Sequence, residues 1–264
     1  MENFDIDWSH NIAAIFRGNK KYLKVVKDVD LVDLNSLIAI DKQKQEICDN
    51  TEWFLSDQEA NNALLWGARG TGKSSLIKGL LGKYQDDGLR IVEIPRNELR
   101  YLVDICDYLR NVDKKFIIFC DDLSFDRGDE NYNALKGILE GSIEAPAKNI
   151  LFYATSNRRH LMPEKMSDNL DARFDGRELH QSDAVEDQLS LSDRFGLILS
   201  FPSIDQSTYF DIVDSYFKDF TKDKKELHVQ AASYATKRGV RSGRVAKQFF
   251  KIKRSLINEV ISSF

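Results

Sequence analysis

From residue 62 onward, short runs of apolar residues alternate with longer stretches whose apolar positions recur every three or four residues. The runs at 62–66, 90–94, 115–120, 149–154 and 197–201 predict buried strands. The stretches at 73–84, 97–110 and 131–140 predict helices. In the second of these, Leu99, Leu102, Val103, Cys106 and Leu109 form one apolar stripe. Alternation of this kind predicts an α/β fold, a parallel sheet flanked by helices, with its chemistry at the carboxyl ends of the strands.

Pro202 closes the last run, and residues 205–264 carry no strand pattern. They predict three helices, near 206–218, 224–237 and 242–262, and so a small all-helical second domain. Residues 158–193 form a polar stretch between two strands, too long for an ordinary connection, and such stretches are usually functional or mobile. Upstream, residues 33–61 read as a loop and then a helix around 43–55. In residues 1–32, Trp8, Ile12, Ile15 and Phe16 recur at helical spacing and predict an N-terminal extension packed on the body. The expected division is therefore 1–32, 33–204 and 205–264.

One strand-to-helix junction carries specific chemistry. After the run 62–66 comes Gly67-Ala68-Arg69-Gly70-Thr71-Gly72-Lys73-Ser74, then Ser75 and a helical pattern. This fills the phosphate-loop pattern G-x-x-x-x-G-K-[ST]. The glycines let backbone N–H groups turn inward around a polyphosphate, Lys73 reaches the outer phosphates, and the Ser74 hydroxyl ligates Mg²⁺. The helix that follows aims its positive N-terminal end at the same place. A nucleoside triphosphatase also needs a carboxylate near the metal and a group to orient the attacking water. Phe116-Ile117-Ile118-Phe119-Cys120-Asp121-Asp122 ends an apolar strand on two aspartates, Asp121 for the Mg²⁺ shell and Asp122 for the water.

The 264 residues suffice for one large domain or two modest ones, and 42% hydrophobic residues allow a substantial core. No apolar run approaches the roughly 20 residues of a membrane span, and the acidic N-terminus has no signal-peptide core. Cys48, Cys106 and Cys120 are scattered, without C-x-x-C spacing, which favours a reducing cytoplasm over a disulfide framework or a zinc site. The net charge of −4 argues against a general polycation, yet residues 237–254 hold eight basic side chains and no acidic one. That stripe fits a solvated helix face with one or two nucleotide-facing arginines, or a contact with nucleic acid or an acidic partner.

Taken in order, these motifs resemble the AAA+ ATPases over roughly residues 33–264. Leu37-Ile38-Ala39-Ile40-Asp41 is similar to the segment that walls the adenine, although the family often has glycine where Ala39 stands. The phosphate loop and the acidic strand follow. Leu151-Phe152-Tyr153-Ala154-Thr155-Ser156-Asn157 resembles the strand ending in the sensor-1 residue, which makes Asn157 the first choice and Thr155 the second. Ser192-Asp193-Arg194-Phe195 resembles the segment presenting an arginine finger, a group that in this family acts on ATP bound to a neighbouring subunit. Arg173-Phe174 repeats the dipeptide, but Arg194 directly precedes a strand. Gly239-Val240-Arg241-Ser242-Gly243-Arg244 looks like the lid-helix start carrying sensor 2, with Arg244 preferred over Arg241.

Most of the superfamily has Asp-Glu where this chain has Asp121-Asp122. Some members, including the bacterial replication initiators, also carry Asp-Asp. GARGTGKS, CDDLSF, YATSNRRH and SLSDRFGL together resemble a bacterial AAA+ family of unassigned biological role. The resemblance implies ATP and Mg²⁺ as ligands, hydrolysis to ADP, a homo-oligomer completed by Arg194, and a protein or nucleic-acid client. A nucleotide-gated switch or loader with slow hydrolysis is the alternative it leaves open.

Overall fold

A computed structural model describes residues 6–125, 129–140, 145–159, 161, 191–218 and 224–254. The long polar stretch at 158–193 lies largely outside the described residues, as does Arg173. So does the part of the last helix beyond residue 254.

Among the described residues seven strands form one sheet: β1 (Ala13–Arg17), β2 (Tyr22–Val25), β3 (Ala63–Gly67), β4 (Leu89–Glu93), β5 (Lys115–Cys120), β6 (Ile150–Ser156) and β7 (Leu197–Phe201). Their order is β2-β1-β4-β5-β6-β3-β7. All neighbours pair in parallel except the β1–β2 hairpin. The sheet is thus mixed and mostly parallel. Parallel strands covered on both faces need continuous apolar runs. β5 supplies one, with Phe116 through Cys120 all buried. Each fully buried Ile or Phe of such a strand contributes about 1.5–3 kcal/mol.

Helices α1 (Asp41–Leu55) and α2 (Lys73–Tyr84) cover one face, over a core that includes Ile47, Leu76, Leu80, Ile117 and Tyr153. Helices α3 (Leu102–Leu109) and α4 (Glu130–Glu140) cover the other, over Leu102, Leu109, Phe116, Leu135 and Phe152. Three further helices, α5 (Gln206–Tyr216), α6 (Lys224–Arg238) and α7 (Gly243–Lys253), pack around their own core of Tyr209, Val213, Leu227, Ala231, Ala246 and Phe249. Asp205 caps α5 by accepting from the Thr208 N–H at 2.8 Å, and Ser242 caps α7 through the Val245 N–H.

Two expectations are corrected. The helical spacing read in residues 8–16 forms no helix: Trp8 lies in a turn and the chain becomes a strand at Ala13, where Ala14 and Phe16 face one core and Ala13 the other, the period-two alternation of β structure. β1 adds to the exposed edge of β4, pairing Ala14 with Val92, so these residues are part of the sheet. The buried Arg90 locks this arrangement by donating from Nε to the Trp8 carbonyl at 2.7 Å. The second correction concerns 97–110. This stretch begins as a 3-10 helix, Arg96–Tyr101, before becoming α3. The change of pitch shifts the phase of the stripe, so Ile105 is buried while Val103 is 50% exposed.

Candidate functional site

Strand order builds the site. β6 lies between β3 and β5, with Trp66 beside Ser156 and Cys120 beside Ala154. The carboxyl ends of all three therefore stand side by side. The phosphate loop leaves β3, the aspartate pair leaves β5, and Thr155 to Asn157 end β6 between them.

The loop is anchored at both sides. The Ala68 N–H donates to the Phe201 carbonyl of β7 at 2.9 Å. Gly67 has φ of +134°, and a Cβ there would lie 2.1 Å from that same carbonyl oxygen. Only glycine satisfies both conditions. Gly67→Ala is expected to cost roughly 3 kcal/mol or more, since a backbone group must move and a disfavoured φ remains. Equilibrium denaturation measures this loss.

Lys73, 7% exposed, donates from Nζ to the Gly67 carbonyl at 2.8 Å and the Ala68 carbonyl at 2.7 Å. Burial holds its amine below the ordinary lysine range. The charges of Asp121 and Asp122 oppose that shift, and Arg69 and Arg244 add to it. An incoming phosphate would oppose that shift and favour the charged form.

The acid pair is held by β6. The Ser74 hydroxyl donates to Asp121 Oδ1 at 2.7 Å, and the Thr155 hydroxyl donates to the same oxygen at 2.5 Å. Thr155 Oγ1 also accepts from the Asp122 N–H at 3.0 Å. Asp122 occupies the left-handed region with φ of 54°, which aspartate tolerates better than most residues. Its Oδ1 accepts from Asn157 Nδ2 at 2.5 Å. Glu93, at the end of β4, has its carboxyl raised by burial and then by the charge of Asp121.

A cavity of about 610 Å³ opens over these groups, between the α/β body and the three-helix unit. Arg69 to Ser75, Asp121, Asp122, Thr155 and Asn157 line its polar end, and Arg244 and Lys247 reach it from α7. Ile38, Ile40, Ile204, Ile212 and Tyr216 line its apolar end. A second hollow of about 750 Å³, lined by residues such as Leu34, Cys48 and Glu52, lies between α1 and α2 and has none of the phosphate-loop residues.

Of the residues singled out in the sequence, Ile38, Ile40, Arg69, Gly70, Thr71, Gly72, Lys73, Ser74, Ser75, Asp121, Asp122, Asn157 and Arg244 share this cavity. Gly67 and Ala68 do not line it and act through their carbonyls on Lys73. Ala39 does not line it either; its φ of 62° is the left-handed conformation glycine adopts without strain. Arg241 and Arg194 also lie outside the lining. Sequence reasoning misses Tyr216, Ile212, Ile204 and Lys247 as lining residues. Tyr216 and Ile212 are four apart on one face of α5, so their helical periodicity is the available signal.

The three-helix unit touches the loop directly. The Gly243 N–H, opening α7, donates to the Gly70 carbonyl at 3.0 Å. A Cβ on Gly70 would lie 2.8 Å from the Ser242 side chain. Arg244 follows in the next position. The phosphate loop and the start of α7 are thus in direct contact.

The donor set suits Mg²⁺ bound together with phosphate. Ser74 and Asp121 offer oxygen ligands only, and Mg²⁺ is usually held by one or two protein oxygens plus phosphates and waters. Among the described residues, no helix is long and apolar enough to cross a membrane.

A family model described as "protein of unknown function (DUF815)" matches residues 9–255. No curated protein matches the chain. Among solved structures, it is similar to the Aeropyrum pernix ORC1 protein in complex with DNA, with a TM-score of 0.54 and 14% identity over 82% of this chain and 60% of that one. It also matches the Thermotoga maritima RuvB Holliday junction branch migration motor, with a TM-score of 0.44 and 12% identity over 83% of this chain and 71% of that one. The chain thus spans less than two thirds of the ORC1 structure's length.

Proposed function

The chain belongs to the DUF815 family and has the AAA+ fold, and from that premise we propose that it binds ATP with Mg²⁺ and hydrolyses it to drive a conformational change in a macromolecular client. The convergence of Lys73, Ser74, Asp121, Asp122 and Asn157 at one end of a cavity with an apolar far end carries this reading. The base fits the apolar end between Ile38, Ile40 and Tyr216. The triphosphate fits the loop, where backbone N–H groups and Lys73 meet its charge. Ser74 and Asp121 would hold Mg²⁺, which would neutralise charge on the outer phosphates. Asp122 takes the position for orienting water, and Arg244 reaches toward the phosphates from α7.

Arg194 lies outside the cavity of its own chain. In this reading it serves the site of a neighbouring copy, so the active form is an oligomer. Turnover per subunit is expected to rise with protein concentration, and steady-state phosphate release across a dilution series measures it. A rate independent of concentration, with ATP binding confirmed, would overturn the shared site.

One observation favours a second reading, a nucleotide-gated switch with slow hydrolysis. Asp122 is a methylene shorter than glutamate, and Asn157 already holds its carboxylate at 2.5 Å. Tight ATP binding with negligible turnover at every concentration would select this reading.

A further inference from the structure

The basic residues of α7 are arranged by more than local abundance. Arg244, Lys247, Lys251 and Arg254 stand at i, i+3, i+7 and i+10. On an α-helix these positions fall within about 80° of arc and span about 15 Å. The opposite face, Val245, Ala246 and Phe249, is buried in the three-helix core. The helix therefore presents one file of cations to solvent. From Leu227 to Arg254 the chain contains no Asp or Glu. Among the described residues, none of the eight cations between Lys237 and Arg254 forms an ion pair within 4.0 Å. They stand out against a chain whose net charge is −4.

We propose that this face of α7 is a contact for the sugar–phosphate backbone of a nucleic acid. The buried apolar face rules out the alternative use of a basic amphipathic helix, lying in a membrane surface with that face in lipid. A file of evenly placed cations matches a polymer of evenly placed phosphates. An acidic protein segment would also seek apolar anchors, and Ile252, 59% exposed, points away from the file. Two members of the file, Arg244 and Lys247, line the nucleotide cavity, so the file runs from that cavity outward. The strand contact and the bound nucleotide then share cations, which couples the two. The basic file stands independently of ATP hydrolysis.

The test is fluorescence anisotropy of the full chain with a labelled single strand of scrambled sequence, about 30 nucleotides long, between about 50 and 200 mM salt. With four phosphates contacted, log K should fall against log salt with a slope of about −3. The double variant Lys251→Gln, Arg254→Gln lies outside the cavity. It should lower the magnitude of the slope by about 1.4 and the affinity at least tenfold at about 100 mM salt. Lys251→Arg should retain binding, which separates loss of charge from loss of folding. ATP binding by the double variant should match the wild type. An unchanged slope in the double variant, or no binding at the lowest salt, would overturn the proposal. So would polyglutamate that competes as well as the strand at equal charge, which would assign the face to an acidic protein.

Discussion

Asp122→Asn is expected to leave ATP bound and to slow its turnover by about 10²–10⁴-fold, the usual range for losing a positioned base. The substitution keeps size and shape. The amide oxygen it introduces can still accept from Asn157 Nδ2, as Asp122 Oδ1 does now. The Thr155 hydroxyl still accepts the backbone N–H at this position, because that bond does not involve the side chain. Asp121 keeps its bonds to Ser74 and Thr155, so the metal shell is preserved. What is lost is the negative charge that polarises water. Titration calorimetry with ATP and Mg²⁺ should therefore give an affinity within a few-fold of wild type, while single-turnover phosphate release falls. Normal turnover would remove Asp122 from the reaction. The contact with Asn157 adds a finer expectation. Asn157 holds Asp122 Oδ1 and leaves Oδ2 for water, so it orients the carboxylate, and Asn157→Ala should perturb turnover more than affinity.

The parts of this site that are legible in the sequence are those fixed by local chemistry. The phosphate loop sets its own boundaries, because glycines at +74° and +103° and a lysine at the start of α2 leave little choice of conformation. β5 is legible because a continuous apolar run ending on Asp has few other solutions, and β7 because a short, mostly apolar run is closed by Pro202. Residues 8–16 are not. A spacing of four places Trp8, Ile12 and Phe16 on one helical face, whereas the turn and strand send Trp8 and Phe16 to one core and Ile12 to the other. What decides between them is the open edge of β4 and the reach of Arg90, both non-local. The dual role of Thr155 is legible only as a polar residue in an apolar strand, since its two partners come from β5. Tyr216 and Lys247 enter the cavity because Gly243 meets Gly70, a contact between segments about 170 residues apart that no periodicity encodes. Asn157 and Arg244 are found through resemblance, and the structure places both at the cavity.

Arg194→Ala is expected to have the larger effect on turnover, about 10³-fold or more, since a guanidinium placed on a transferring phosphoryl group is worth about 10³–10⁵ in rate. Its backbone is well fixed. Leu191 and Phe195 on either side are buried, and the Phe195 ring packs 6.2 Å from that of Phe152 on β6. Ser192 donates to the Arg159 carbonyl at 3.2 Å, which ties this segment to the end of the strand carrying Asn157. A rigid mount of this kind suits a group that must meet a partner at fixed distance, because ordering costs are met on folding and not at each encounter. The own-chain cavity does not include Arg194, so loss of the side chain should leave ATP affinity nearly unchanged in dilute protein. Mixing decides whether the effect crosses between copies. Lys73→Ala removes the cation of the loop but keeps Arg194. Arg194→Ala keeps the loop but removes the finger. Each alone should be inactive. In a random equal mixture, roughly a quarter of head-to-tail interfaces join an intact loop to an intact finger, and activity should return in that proportion. Recovery absent from a mixed oligomer, verified by differential tagging, would place Arg194 in a role confined to its own chain.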